Sequence, residues 1–491
     1  MTWYTALILL LGVVCLLLFL GLPVAFAFFA ANILGTAFFI GRLATDGDWH
    51  SVQVALSSMP MEFHLAIKFA LTPIALFLLM GEILLQTGVA FKAIGAIDRM
   101  IARIPGRLSV VSIIGGTVFS SLSGSTIANT AILGSVLLPD MVNRGYKPTI
   151  SMGPIMAVGG IAMLIPPSAL AVLLASLAEQ SVAQLLIAGI VPGMLMAVLF
   201  FAYVVGRCMM DPSLAPGYDP DESHLDKPIT FALNRRGRAV FERTYDGPRL
   251  RLVNRLLPFV LYIFPLFTIF VVVVGSIFFK FAAPTDAAAL GCLAALGACY
   301  FFRLFKRKVT ITGIDGADFN WRAIGKALME TAKINTMILF IIAGSLVFTQ
   351  ALAVSGATRG MLQALTSLEL TQFTVVLMMM GVLLFLGAFM DQVSMLLLTL
   401  PFFLLGETSL QVVFKIDVIW LMVLILITME ISLLTPPFGL LLYVMKGVAP
   451  FDVTIGAVIR SALPFILIEL LVLALLIAVP EVATWLPSKI E

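Results

Sequence analysis

The first 41 residues carry no charged side chain; Lys, Arg, Asp and Glu are all absent before Arg42. Such a run cannot form the surface of a soluble fold. At ~1.5 Å per residue it is long enough to cross ~30 Å of hydrocarbon twice. Gly21-Leu22-Pro23 interrupts it in the middle, where proline removes a helix hydrogen bond, so it reads as two passes. No Lys or Arg precedes the apolar stretch as in a signal peptide, and the first segment is expected to be retained. Similar apolar segments lie near 65–87, 109–122, 127–143, 150–178, 185–206, 256–281, 285–302, 325–350, 371–386, 392–406, 417–434, 437–446 and 457–480. Composition agrees: 61% of the 491 residues are apolar and 12% charged, against about 45–50% and about 25% in soluble domains. A soluble enzyme, a nucleic-acid binder and a disordered chain are excluded. Many of the runs approach twenty residues and are not the alternating ~10-residue segments of an outer-membrane barrel. The expectation is an all-α polytopic membrane protein that sits in a lipid bilayer and binds no nucleic acid.

Charge sets the orientation. Residues 42–63 are polar and read as interfacial. The one long hydrophilic stretch, 207–255, holds nine Lys/Arg and seven Asp/Glu. Two apolar segments separate it from the cluster Arg303, Lys306, Arg307, Lys308, so both basic stretches share a side, the cytoplasmic one by the positive-inside bias. Its mixed sign suits a membrane-surface or linker role. Cys15, Cys208, Cys292 and Cys299 form no CxxC pair and read as buried, inert thiols. There is no GxxxxGK[ST] and no HExxH, and the three histidines lie outside the polar breaks described next. Hydrolysis of ATP by a P-loop and an intramembrane protease mechanism are therefore not expected, and the chain reads as no enzyme.

The two halves echo each other. Gly88 and Gly356, Pro167 and Pro437, and Pro192 and Pro464 are 268, 270 and 272 residues apart. Between these landmarks each half has a Gly- and polar-rich break, Ser120–Asn129 and Gly387–Ser394. Each break runs on to a Leu-Pro, Leu138-Pro139 and Leu400-Pro401. Matched, interrupted hydrophobic segments are the mark of a secondary transporter. Unwound backbone at membrane depth is costly unless it lines a cavity or binds something.

The first break, with Ser123, Gly124, Ser125, Thr126 and Asn129, offers hydroxyls, a carboxamide and free carbonyls. These are hard neutral ligands suited to Na⁺, and half-helix N-termini beside them can donate to a carboxylate. The second break contains Asp391, with no opposite charge near it in sequence. An intramembrane carboxylate is a functional candidate, because burying it unpaired costs several kcal/mol; it could ligate Na⁺, carry a proton or cap the following helix. Ser168 and Thr435 supply hydroxyls at the paired proline breaks. Among the other acids, Glu82, Glu179, Asp286, Glu330 and Glu469 read mostly as segment ends or paired groups, and Glu430, near Thr435, is the strongest candidate.

These residues resemble a known family. Ser123 to Ser135, Arg144-Gly-Tyr-Lys-Pro148, Leu164-Ile-Pro-Pro-Ser168, Ala188-Gly-Ile-Val-Pro-Gly193, Gly387 to Asp391 and Leu434-Thr-Pro-Pro-Phe-Gly439 are similar to the large membrane subunit of tripartite ATP-independent periplasmic (TRAP) transporters. Asn129, where small residues or an acid are common, and the long 207–255 loop depart from the pattern. The resemblance implies Na⁺-coupled import of a small organic acid across the bacterial inner membrane. It also implies a separate small four-helix membrane subunit and a soluble periplasmic binding protein. The implied fold is an inverted-repeat elevator with two re-entrant hairpins and two broken helices. On that pattern the chain divides into N-terminal scaffold helices (1–64), repeat 1 (65–206), the cytoplasmic loop (207–255), further scaffold helices (256–324), repeat 2 (325–480) and a tail (481–491). Two Na⁺ sites are expected, one at Ser123, Gly124, Asn129, Gly160 and Ile165, the other at Gly387, Met390, Asp391, Leu434, Thr435 and Gly439. Substrate is expected between the hairpin tips, at Ser123, Ser125, Thr126, Asn129, Ser168, Ser394 and Thr435. The alternative is a stand-alone Na⁺/dicarboxylate symporter of the same superfamily, needing no binding protein.

Overall fold

The computed structural model describes residues 2–40, 53, 72–101, 104–123, 125–216, 229–235, 238–245, 250–311, 321–406, 409–437, 439–450 and 453–489. The expected interfacial stretch at 42–63 lies almost wholly outside them, as does the start of the apolar run at 65–87. In chain order the helices are α1 (Trp3–Phe19), α2 (Val24–Gly35), α3 (Thr72–Gln86), α4 (Val89–Met100), α5 (Arg107–Ser123), α6 (Thr126–Asn143), α7 (Pro148–Gly160), α8 (Ala169–Leu177), α9 (Val182–Ala188) and α10 (Ile190–Met210). Strands β1 (Ile229–Arg235) and β2 (Arg238–Tyr245) follow, then α11 (Leu250–Phe278), α12 (Pro284–Lys308) and β3 (Val309–Ile311). The chain continues with α13 (Trp321–Val354), α14 (Ala357–Ser367), α15 (Gln372–Gly387), α16 (Gln392–Phe403), α17 (Leu410–Val413), α18 (Val418–Leu434), α19 (Leu440–Val448), α20 (Ile455–Ala478) and α21 (Glu481–Thr484). Five stretches, Val182–Met210, Arg251–Phe278, Pro284–Arg303, Trp321–Val354 and Ile455–Ala478, are long and apolar enough to cross a membrane, and shorter apolar helices accompany them.

The repeat expected from the landmarks appears as repeated elements. Gly88 and Gly356 each start a helix from the left-handed region, at φ 74° and 73°, where glycine has no Cβ penalty. In each half a pair of helices joined at the polar break follows (α5–α6, α15–α16). A helix leading to a Pro-Pro follows, α7 through the 3₁₀ turn Ile161–Met163 and α18 through Thr435, and after the prolines comes a short helix (α8, α19). The 207–255 loop is not structureless. It supplies two strands of an antiparallel sheet of order β2-β1-β3, the third strand following α12 directly.

The chain divides into two compact units. The first comprises residues 1–72, 173–181 and 332–440. In it α2 packs on α13 through small residues and rings. A Cβ on Gly344 would meet Phe28 Cβ at 2.9 Å, the Phe28 and Phe348 rings meet edge-on at 5.3 Å, and Asn32 Nδ2 donates to Gly344 O at 2.6 Å. Every residue of α18 from Trp420 to Leu434 is buried, which accounts for a sequence apolar all the way round.

The second unit comprises residues 73–172, 182–331 and 441–491. Its centre is α7, packed by α5, α6 and α20. A Cβ on Gly153 would lie 2.4 Å from Ser461 O, and one on Gly116 2.0 Å from Val158 Cγ1, so glycine permits the close approach of α20 and α5. Ser109 Oγ donates to Ile150 O at 2.6 Å. Arg107 Nε and Asp98 Oδ1 form a 2.8 Å ion pair tying α4 to α5. Three of the cysteines are buried and all four are free.

Candidate functional site

The two breaks fall in different units, and each builds its own polar cluster. In the second unit, α5 and α6 are joined at Gly124, which lies outside the described residues, as does the side chain of Ser123. Ser125 caps α6, its Oγ accepting from Ala128 N–H at 3.4 Å. One turn on, Asn129 is completely buried. Its Nδ2 donates to Ser120 Oγ, and Ser120 Oγ donates in turn to Val158 O on α7 at 2.8 Å. That chain fixes the carboxamide: the serine has used its only proton, so it must accept from the amide nitrogen, and Asn129 presents Oδ1 as a bare acceptor. Asn129 Oδ1 and the neighbouring Thr130 Oγ1 are buried with no hydrogen-bond partner among the described residues.

The end of α7 closes on this turn. A Cβ on Gly159 would lie 2.3 Å from Thr130 Oγ1 and 3.2 Å from Thr126 O, so the α7 backbone reaches the first turn of α6 because position 159 has no side chain. Gly160, the 3₁₀ turn Ile161–Met163 and Ile165 are buried. Ile165 N–H bonds to Ile161 O, and the chain then breaks at Pro166-Pro167. Buried Ser168 restarts the helix, its Oγ accepting from Ala171 N–H at 3.2 Å. Gly189 lies against the break, where a Cβ would stand 2.2 Å from Leu164 O.

In the first unit, Asp391 is the cap of α16. Oδ2 accepts from Val393 N–H at 3.0 Å and Ser394 N–H at 3.2 Å, and Oδ1 accepts from Ser394 Oγ. Gly387 brings α15 onto α18: a Cβ there would be 2.0 Å from Ser432 Oγ. Thr435 Oγ1 bonds back to Ile431 O at 2.7 Å and Thr435 N–H to Ser432 O. The backbone then folds over, so that a Cβ on Gly439 would lie 2.7 Å from Leu433 O and 2.9 Å from Thr435 O. Carbonyls thus converge on a position that only glycine can occupy, next to prolines that have no N–H to give them.

The expected residues of each half are therefore gathered within their own unit: Ser125, Thr126, Asn129, Gly160, Ile165 and Ser168 in one, Gly387, Met390, Asp391, Ser394, Leu434, Thr435 and Gly439 in the other. Thr435 spends its hydroxyl proton on its own helix, whereas Ser168 Oγ accepts from Ala171 N–H and does not spend its proton there. The pattern of breaks does not single out Ser120, Thr130 or Ser432; the Gly159-Gly160 pair was the signal that backbone must approach there. One reading of the other acids is corrected. Glu469 is neither at a segment end nor ion-paired among the described residues; it sits within α20, fully buried, with no hydrogen bond to either oxygen among them. Glu430 is likewise fully buried, within α18. Glu82 does have a neighbour, accepting from Gln86 Nε2 at 3.0 Å, and Asp286 lies in the first turn of α12, where the helix dipole favours it.

The family described as "Tripartite ATP-independent periplasmic transporter, DctM component" matches residues 11–482. The chain belongs to this family. Its relatives include the C4-dicarboxylate TRAP transporter large permease protein DctM of Pseudomonas aeruginosa, 28% identical over 87% of this chain and 88% of that protein. The sialic acid TRAP transporter large permease protein SiaM of Vibrio cholerae is 24% identical over 96% of each. The solved YdaH transporter of Alcanivorax borkumensis shares the fold, with a TM-score of 0.61 over 94% of this chain and 99% of that one, at 14% identity. This TRAP large permease is thus a multi-pass helical membrane transporter and not an enzyme.

Proposed function

We propose that this TRAP permease imports a small organic acid across the bacterial inner membrane by coupling it to Na⁺. A small four-helix membrane subunit and a periplasmic binding protein complete the transporter. The observation that carries the reading is the buried Oδ1 of Asn129, without a hydrogen-bond partner among the described residues, beside Thr130 Oγ1 and the Gly159 backbone. A bare oxygen held in place by a hydrogen-bond chain is a poor feature of a packed core, since an unmade bond costs about 1–3 kcal/mol, and a good one for a hard monovalent cation. A first Na⁺ is assigned to the turn Ser123–Asn129 with the backbone from Gly160 to Ile165. A second is assigned to Gly387, Met390 and Asp391 with the carbonyls of Leu434, Thr435 and the turn at Gly439. Two relatives are named for C4-dicarboxylate and for sialic acid, both carboxylates, which supports a carboxylate substrate here. It would be held near Ser123, Ser125, Thr126, Asn129 and Ser168 by neutral donors and the N-terminus of α6, with Na⁺ supplying the positive charge.

The test is uptake into vesicles carrying both membrane subunits, with the cognate binding protein added. Uptake that survives replacement of Na⁺ by choline, at fixed membrane potential and pH, sinks the coupling. Uptake at full rate without the binding protein points instead to a stand-alone symporter of the same superfamily.

A further inference from the structure

Helices α11 and α12 form an antiparallel hairpin. The Tyr262 and Phe302 rings stack at 5.5 Å, and a Cβ on Gly291 would lie 2.9 Å from Val273 Cγ2; each pair is centred on residue 282, the tip. The tip turns by a Schellman motif. Phe281 N–H bonds to Ser276 O at 2.9 Å and Lys280 N–H to Ile277 O at 3.1 Å, the two bonds that close such a cap. Two choices in this turn are unfavourable within the chain itself. The left-handed position, where glycine is usual, holds Lys280 at φ 56°, and an L side chain there crowds the following carbonyl oxygen. The next residue ordinarily packs back on the last turn of the helix, five or six positions earlier. Those positions are Ser276 and Gly275, which offer no apolar partner, and Phe281 is 84% exposed. Phe279 is 65% exposed beside it, with the two ring centroids 6.0 Å apart. Lys280 is exposed and makes no ion pair among the described residues.

The hairpin also fixes the depth of its tip. The apolar span of α12 from Pro284 to Arg303 is about 29 Å long, close to the ~30 Å of bilayer hydrocarbon. Arg303 opens the basic run with Lys306, Arg307 and Lys308, so the basic end marks one interface and the tip stands at the other. We propose that the α11–α12 tip anchors the protein in the leaflet away from the basic stretches, with Phe279 and Phe281 inserted at the border of the acyl chains and Lys280 bonded to a phospholipid phosphate. Depth selects lipid as the occupant, because exposed apolar rings at that level face the acyl–headgroup border and not bulk water. Charge agrees: an ammonium on a flexible stem between two rings reaches headgroup phosphate while the rings stay in the apolar layer. The contact accounts for both unfavourable choices at once. Glycine would suit the turn but bring no charge, and a ring folded back on α11 would reach no lipid.

The test places a nitroxide at Phe281→Cys in the full-length chain, reconstituted in phosphatidylethanolamine and phosphatidylglycerol vesicles alone and together with the small membrane subunit. Ser213→Cys, at an exposed position after α10, serves as the water-facing reference, and the unsubstituted chain gives the background from its own cysteines. Collisions with oxygen, which concentrates in lipid, are compared with collisions with a water-soluble Ni²⁺ chelate. Oxygen should dominate severalfold at 281 and the chelate at 213. Lys280→Gly suits the left-handed turn and removes the ammonium, so the melting temperature should hold or rise while chelate collisions at 281 increase severalfold; Lys280→Arg should restore the parental reading. Should the glycine form melt lower, Lys280→Gln makes the same comparison with a side chain retained. In galactolipid bilayers, which have no phosphate, the Lys and Gly forms should read alike. A label at 281 that meets the chelate as freely as the one at 213 overturns the proposal, because the tip is then in water. A label shielded from both reagents, with or without the small subunit, also overturns it, because protein then covers the tip. Equal readings for Lys280 and Lys280→Gly in phospholipid, or a difference that persists in galactolipid, overturn the phosphate contact.

Discussion

Asn129 and Asp391 hold matching places in the two halves, and their surroundings give them different work. Asn129 is anchored through its nitrogen to Ser120 and through Ser120 to Val158 O, which leaves its oxygen, without a partner among the described residues, to the proposed Na⁺. Asn129→Leu keeps the branched shape and removes both polar ends. The fold should lose no more than about 1–3 kcal/mol, while the Na⁺ concentration for half-maximal uptake rises about tenfold or more, the equivalent of ~1.4 kcal/mol of lost ligation. A melting temperature lowered with an unchanged Na⁺ requirement would make the residue structural only. Asp391 is a cap first, with Val393 and Ser394 donating to it. Asn caps almost as well, whereas Ala costs about 1 kcal/mol. Asp391→Asn should therefore melt with the parent, and on the proposed assignment its Na⁺ half-saturation should rise severalfold, because the charge assigned to the ion is gone. An Asn variant with parental Na⁺ dependence would leave the carboxylate no role beyond the cap.

At the scale of elements, the glycines separate close helix contacts from mere flexibility. A Cβ at Gly387 would fall 2.0 Å from Ser432 Oγ and 2.3 Å from Ser432 Cβ, whereas at Gly297 in α12 nothing lies within 4 Å. Gly387→Ala should push α15 from α18, destabilise by about 1–3 kcal/mol and impair uptake. Gly297→Ala should be neutral or stabilising by up to about 1 kcal/mol, since alanine suits a helix better. Thermal melts of the two purified variants check the contrast, and equal melting temperatures would refute it. The hairpins, the proline breaks and the start glycines were legible in the sequence because each depends on local chemistry: a missing N–H, a positive φ, a capping side chain. Thr130 and Ser432 were not, because their importance comes from which helices meet there. Nor was the sheet, whose β3 pairs with β1 across 75 or more residues, a separation that no local pattern reports. Glu469 was misread for the same reason, since its burial is a property of what packs around α20 and not of α20 itself.

For the molecule as a whole, each proposed cation has its own ligand set, one within each unit, and the coupling proposed between the cations and the substrate is one of charge. The donors assigned to the carboxylate are neutral, and an organic anion left uncompensated in a site out of water costs several kcal/mol. Substrate should therefore bind weakly until Na⁺ is present, and by linkage substrate should tighten Na⁺ by the same factor. Uptake plotted against Na⁺ should accordingly be sigmoidal, with a Hill coefficient between one and two. Asn129→Leu and Asp391→Asn, each impairing one site, should bring the coefficient towards one from either side of the repeat. Potential separates the ions from the substrate in the count. Two Na⁺ with a dicarboxylate move no net charge, whereas two Na⁺ with a monocarboxylate move one positive charge inward, which ~100 mV inside-negative favours by ~2.3 kcal/mol. Initial rates in vesicles clamped by a K⁺ gradient and valinomycin distinguish these cases. A hyperbolic Na⁺ dependence in the unsubstituted protein, unchanged in both variants, would mean that the two breaks do not each hold an ion.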